Sequence, residues 1–142
     1  MNSPALPGQA FLAYRTDQLH MEEVRLSALA QSFGTPLFAY SRNAMVAALA
    51  AYQRGFAGRR AQICYAMKAN SSLAILQLFA RLGCGFDIVS VGELDRVLAA
   101  GGSASKTIFS GVGKTRAEMK RALEVGIQCF NVESEDELRV LS

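Results

Sequence analysis

Lys68 stands at the end of the run Ile63-Cys64-Tyr65-Ala66-Met67, just before Ala69-Asn70 and a helical pattern. Ile63, Tyr65 and Met67 alternate with Cys64, Ala66 and Lys68, the period of a strand with two distinct faces. That alternation predicts the Lys68 ammonium on a small-residue face, where desolvation favours the neutral amine that attacks carbonyl carbon. A strand-end lysine can equally lay its stem on apolar surface and keep its charge in water. Asp87 follows Gly85 by two residues at the end of the next apolar run, so it is expected to face the same cavity as Lys68. Aspartate in such a place also caps turns. Glu93 belongs to a Ser90-x-x-Glu93 capping box that opens a helix with Val91, Leu94, Val97 and Leu98 on one face, and capping alone accounts for it.

The elements that must position these groups recur. Apolar runs at 61–67, 84–89, 107–109 and 128–132 are each followed by a helical pattern, and the capping box returns as Thr115-x-x-Glu118 and Ser134-x-x-Glu137. Leu73, Leu76 and Phe79 form the first helical stripe. Met119, Ala122 and Leu123 form a later one, and Leu138 with Leu141 begin the last. Alternating strand and helix at this spacing predicts an α/β fold with parallel strands and right-handed crossovers. The pattern leaves open whether the sheet is doubly wound or closed into a barrel. Upstream, the apolar run Leu37 to Tyr40 precedes a helix capped by Ser41 and running through Ala44, Met45, Ala48, Leu49 and Tyr52 to Gly55. Residues 1 to about 30, with Pro4, Pro7 and Gly8 and weak periodicity, read as a loosely anchored beginning.

Five stretches in order carry a resemblance: Gly34-Thr35-Pro36-Leu37-Phe38-Ala39-Tyr40, Tyr65-Ala66-Met67-Lys68-Ala69-Asn70, the run from Gly85 through Asp87 to Leu94, Phe109-Ser110-Gly111-Val112-Gly113-Lys114, and Cys129-Phe130-Asn131-Val132-Glu133-Ser134. Together they resemble the pyridoxal-phosphate (PLP) decarboxylases built on the alanine-racemase type of barrel. Within that family they look most like the branch acting on meso-diaminopimelate, through the loop from Ser110 to Lys114 and the Asn131-Val132-Glu133-Ser134 tetrad. The resemblance implies a PLP-binding (β/α)8 TIM barrel, of which this chain holds about the first half. It implies that Lys68 carries PLP covalently and is the catalytic residue, with Asp87, Ala66 and Glu93 around the cofactor. The implied reaction releases carbon dioxide from meso-2,6-diaminopimelate and leaves L-lysine. Related decarboxylases acting on ornithine, arginine or carboxynorspermidine are the alternative, as is a non-catalytic PLP-binding piece.

The resemblance further implies a division into an N-terminal segment, residues 1–36, that packs in the family on a C-terminal β-domain, and the N-terminal half of the barrel, residues 37–142. A complete barrel has eight units in roughly 250 residues, so the chain reads as an N-terminal fragment of a homodimeric enzyme. A histidine stacking on the PLP ring, a glycine-rich phosphate loop and an acidic partner for the pyridine nitrogen are implied beyond it. His20 matches none of these. With 51% hydrophobic residues, a half barrel with open edges is expected to be poorly soluble or to associate with itself or with the missing half.

Composition narrows the rest. A net charge of +3 is scattered rather than gathered in a stripe, which argues against nucleic acid as a partner. Cys64, Cys84 and Cys129 are odd in number, lack metal-ligand spacing and read as reduced core residues. No metal is expected. No apolar run reaches membrane-spanning length and the first residues lack signal-peptide regions, which points to the cytoplasm and away from a membrane. Gly111-Val112-Gly113-Lys114-Thr115 is the one rival motif, because Gly-Lys-Thr ends a nucleotide-binding P-loop. The first glycine of that motif would fall on Ile108, a β-branched strand residue that cannot start the cradle of backbone amides.

Overall fold

The computed structural model describes residues 5–6 and 9–142. The chain divides into two compact units, Met1–Gly58 and Arg59–Ser142.

In the first unit β1 (Ala5–Leu6), β2 (Gln9–Arg15), β3 (Gln18–Met21) and β4 (Val24–Arg25) form an antiparallel sheet in sequential order. The loose beginning expected up to about residue 30 is thus corrected over the described residues, while Pro4, Pro7 and Gly8 lie outside them. Arg15 pairs with Gln18 across a two-residue turn in which Thr16 and Asp17 both have positive φ, 47° and 60°. Such a turn matches the right-handed twist of the strands it joins. Met21 pairs with Val24 across a second turn, where Glu22 has φ 54°. Helices α1 (Leu26–Phe33) and α2 (Arg42–Gly55) follow. The Ser41 cap is present: its Oγ accepts the Ala44 N–H at 2.9 Å and donates to Glu22 at 2.5 Å. The apolar run Leu37 to Tyr40 joins no ladder, and Phe38 is 88% exposed.

The second unit is a parallel sheet in the order β5 (Cys64–Ala66), β6 (Gly85–Ile88), β7 (Thr107–Phe109) and β8 (Cys129–Phe130). Helices α3 (Leu73–Arg81), α4 (Val91–Ala99), α5 (Arg116–Glu124) and α6 (Glu135–Leu141) alternate with the strands and touch one another in chain order. A doubly wound sheet reverses its strand order; this one does not. One face is the core. Phe86, Ile88, Thr107 and Phe109 are fully buried there against Leu94, Val97 and Ala122 of the helices, and Tyr65 stacks on Phe79 with ring centroids 4.5 Å apart. On the other face none of Cys64, Ala66, Asp87 and Ile108 is buried. A register slip of one residue would carry the phenylalanines out and the Asp87 carboxylate in, and each buried phenylalanine is worth roughly 1.5–3 kcal/mol. The hydrophobic pattern therefore dictates which side chains the open face receives.

Three core expectations are corrected. Leu73, Leu123 and Leu138 are 43%, 56% and 56% exposed. In α3 the buried side chains include Ile75 and Leu78 beside Leu76 and Phe79, and the buried residue of α6 is Glu137. Of the cysteines only Cys84 is buried, donating its thiol to the Ile63 carbonyl at 3.0 Å; Cys64 and Cys129 lie on the open face rather than in the core.

Candidate functional site

Strand β5 ends at Ala66, and Met67–Ala69 form a single 3-10 turn. The strand alternation therefore stops two residues short of Lys68. Met67 is fully buried and anchors the turn, while Lys68 projects as an exposed side chain. The burial expected of Lys68 is not found. Among the described residues its ammonium makes no hydrogen bond or ion pair.

Ala66 pairs in register with Asp87, so the two share the open face, Ala66 as the last residue of β5 and Asp87 one residue before the end of β6. Asp87 does not cap the turn after it. Its Oδ1 accepts the Ser110 hydroxyl at 2.5 Å, and Ser110 Oγ in turn accepts Asn131 Nδ2 at 2.9 Å. Ser110 and Asn131 continue β7 and β8, since their N–H groups donate to Ile88 and Phe109 at 2.8 and 2.9 Å. A polar chain thus crosses three neighbouring strands at their C-terminal ends. The order in sequence, Phe86-Asp87, Phe109-Ser110 and Phe130-Asn131, is a signal that could have found it: a core-facing phenylalanine, then a short polar residue on the opposite face.

Glu93 folds back on the backbone. Ser90 Oγ accepts the Glu93 N–H at 3.3 Å, but the Glu93 carboxylate accepts the N–H of Val89 at 2.7 Å rather than that of Ser90. The box at Thr115 is complete, and Glu118 reaches further, accepting the Val91 N–H at 3.1 Å. Ser134 caps α6, while Glu137 accepts from Glu133 N–H at 3.2 Å and from Lys114 Nζ at 2.6 Å. The three glutamates fill the helix N-termini at the end of the sheet where Lys68 and Asp87 sit.

Lys114 is the counterpart of Lys68. Its side chain is wholly buried, and its three N–H groups go to the Gly111 carbonyl at 2.6 Å, the Asn131 carbonyl at 2.8 Å and Glu137. With every donor committed to protein it has nothing left for a phosphate, which removes the P-loop reading. Instead it ties the ends of β7 and β8 together and so steadies Ser110 and Asn131.

Hydrogen bonds also hold two of these carboxyls below their ordinary value of 4.5. For Glu118 the cause is the N–H groups of Thr115 and then Val91; for Glu137 it is first the Lys114 hydrogen bond. A carboxylate depressed on folding contributes stability above its unfolded value, and that contribution is lost as pH falls through the folded value. Urea midpoints measured at pH 7 and pH 3 are therefore expected to fall on acidification, and Glu118→Gln with Glu137→Gln to flatten the decline. An equal decline in the double variant would show that these groups do not cause it.

An aldehyde-bearing cofactor needs an accessible, uncommitted primary amine beside a cavity with polar partners. Lys68 meets the first condition, and Asp87, Ser110 and Asn131 supply polar groups at the same end of the sheet. No helix among the described residues is long and apolar enough to cross a membrane.

Residues 42–142 match the family model described as pyridoxal-dependent decarboxylase, pyridoxal binding domain. The chain is 58% identical over 125 residues to diaminopimelate decarboxylase of Pseudomonas fluorescens, covering 88% of this chain and 30% of that protein. It superposes on the crystal structure of diaminopimelate decarboxylase from M. jannaschii with a TM-score of 0.89 at 32% identity, over 96% of this chain and 33% of that one. For the Helicobacter pylori diaminopimelate decarboxylase complexed with L-lysine the TM-score is 0.76 at 43% identity, over 81% of this chain and 29% of that one. The chain thus spans about a third of the length of these relatives. The barrel-type α/β fold expected from the resemblance holds over the part present, and the chain belongs to the pyridoxal-dependent decarboxylases, its residues 42–142 falling in their pyridoxal-binding domain.

Proposed function

We propose that the chain supplies the cofactor-attaching part of a PLP-dependent carboxy-lyase that converts meso-2,6-diaminopimelate to L-lysine and carbon dioxide. The observation that carries the reading is the uncommitted, exposed Lys68 amine, two residues past the Ala66 that pairs with Asp87, in a chain 58% identical to a diaminopimelate decarboxylase. The same level of identity favours diaminopimelate over ornithine, arginine or carboxynorspermidine.

In this reading Lys68 Nζ attaches the cofactor, gives way to the substrate amine, and returns to release product. PLP, when bound, supplies the electron sink that accepts the pair left behind as the carboxylate departs. Ala66 leaves room for a flat ring against the sheet. Asp87 presents its carboxylate on the same open face as Ala66, within the site this reading gives the cofactor. Glu93 shapes the rim by fixing the Val89 backbone. The small amino-acid substrate, a homodimer as the working assembly, the packing of residues 1–36 on a further β-domain and a cytoplasmic location belong to the same reading.

The test is to add PLP to the purified chain, reduce with borohydride, and map the modified peptide. A pyridoxyl group on Lys68 that disappears in Lys68→Ala is the expected result. Labelling spread over surface lysines, or none at all, would overturn the assignment to this chain.

A further inference from the structure

The hydrogen bonds around Ser110 have a fixed direction. An ionised Asp87 carboxylate only accepts, so the single hydroxyl proton of Ser110 must point at Oδ1, 2.5 Å away. Asn131 must then present its Nδ2 hydrogens, and it does so at 2.9 Å. Asn131 cannot turn its amide round without setting its carbonyl oxygen against an oxygen whose proton is already spent. Its backbone is held as well, by the ladder bond to Phe109 at 2.9 Å and by buried Lys114 at 2.8 Å. One oxygen of Asp87 is therefore committed to Ser110, and Oδ2 has no partner among the described residues. The register places that carboxylate beside Ala66, the last strand residue before the turn that carries Lys68.

We propose that Ser110 and Asn131 are positioning residues that act through Asp87, fixing the orientation of its carboxylate so that the partnerless Oδ2 is the acceptor turned to the cofactor site. The inference rests on the reading that Lys68 carries PLP. It predicts that neither residue matters once Asp87 can no longer receive the Ser110 proton as a charged partner. A purely structural role predicts the opposite, since packing losses do not depend on the charge of residue 87.

The experiment follows PLP attachment to Lys68 in the 142-residue chain by borohydride trapping against time and PLP concentration. Ser110→Ala should weaken attachment about tenfold, the low end for losing a hydrogen bond to a charged group at a half-exposed site. Ser110→Thr, which keeps the hydroxyl, should restore it to within about twofold of the parent chain. Asn131→Asp, at an exposed position where folding is not at stake, should weaken attachment in the same direction, because a second carboxylate competes for the Ser110 proton. In the Asp87→Asn background both substitutions should change attachment less than about twofold. Effects of Ser110→Ala and Asn131→Asp that persist undiminished in that background, or a parent-like Ser110→Ala, overturn the inference alone. Absence of any Lys68 adduct in the parent chain overturns the proposed function, and this inference with it.

Discussion

Lys114→Met is expected to lower the stability of the chain by about 3 kcal/mol, whereas Lys68→Ala leaves the urea midpoint unchanged and removes the pyridoxyl adduct entirely. The two lysines invert each other's properties. Removing the Lys114 ammonium strands the Glu137 carboxylate, only 8% exposed, and deprives the Gly111 and Asn131 carbonyls of their donor. Breaking a buried pair on one side typically costs about 3–5 kcal/mol, and the lower figure suits a pair close to the surface of a small unit. Taking Glu137 away at the same time, as Lys114→Met with Glu137→Met, should recover much of the loss, because two apolar side chains leave no unpaired charge. Lys68 has no such obligations. Its removal exposes nothing, and the turn that carries it stays anchored by Met67. Denaturant titration and adduct mapping on the same four proteins check both halves. A Lys68→Ala chain that unfolds early would mean its side chain packs in a way its exposure does not show.

That division of labour was only half legible in the residues. Strand and helix alternation was plain because apolar runs and S-x-x-E boxes recur in phase, and Lys68 and Asp87 were found by type and by position at strand ends. The exposure of Lys68 is hidden from the sequence because the two-residue period ends at Ala66 and a 3-10 turn, which has no such period, carries the lysine. The antiparallel sheet at the start leaves little trace in the sequence because its turns place Thr16, Asp17 and Glu22 at positive φ, without the glycine that normally marks such turns. The Asp87, Ser110 and Asn131 chain depends on register. Asp87 lies level with Ile108, so Ser110 stands one layer above it, and no single stretch of sequence records that offset. In the sequence Glu118 and Glu137 are local caps. Each spends one oxygen on a partner from elsewhere in the fold, Val91 or Lys114, which a four-residue motif cannot reveal.

Two glycine-to-alanine substitutions in the same unit should move stability in opposite directions. A Cβ on Gly85 would lie 2.4 Å from the Lys106 carbonyl, 2.5 Å from Gln62 Nε2 and 2.7 Å from Cys64 Sγ. The space is already taken by a small hydrogen-bonded cluster, in which Gln62 Nε2 reaches the Lys106 carbonyl at 3.0 Å and Cys64 Sγ at 3.1 Å. Gln62 can swing away, but the Lys106 carbonyl is backbone at the entry to β7 and cannot move without pulling that strand. Overpacking of a fitted site costs about 1–3 kcal/mol, and a backbone clash puts Gly85→Ala at the upper end. Gly92 lies in the first turn of α4, where an added Cβ would come no closer than 3.9 Å to Ser90 Oγ. Alanine there meets ordinary contact and loses less backbone entropy on folding, so Gly92→Ala should gain about 0.5 kcal/mol. Urea midpoints of the two variants against the parent decide the matter. If Gly85→Ala is neutral, strands β5 to β7 can shift at their N-terminal ends, and the register that sets Asp87 beside Ala66 and below Ser110 would be looser than the hydrogen bonds require. If it is destabilising while Lys68 still accepts PLP, the start of the sheet bears the fold and its far end bears the chemistry, as the sites of parallel barrels are arranged.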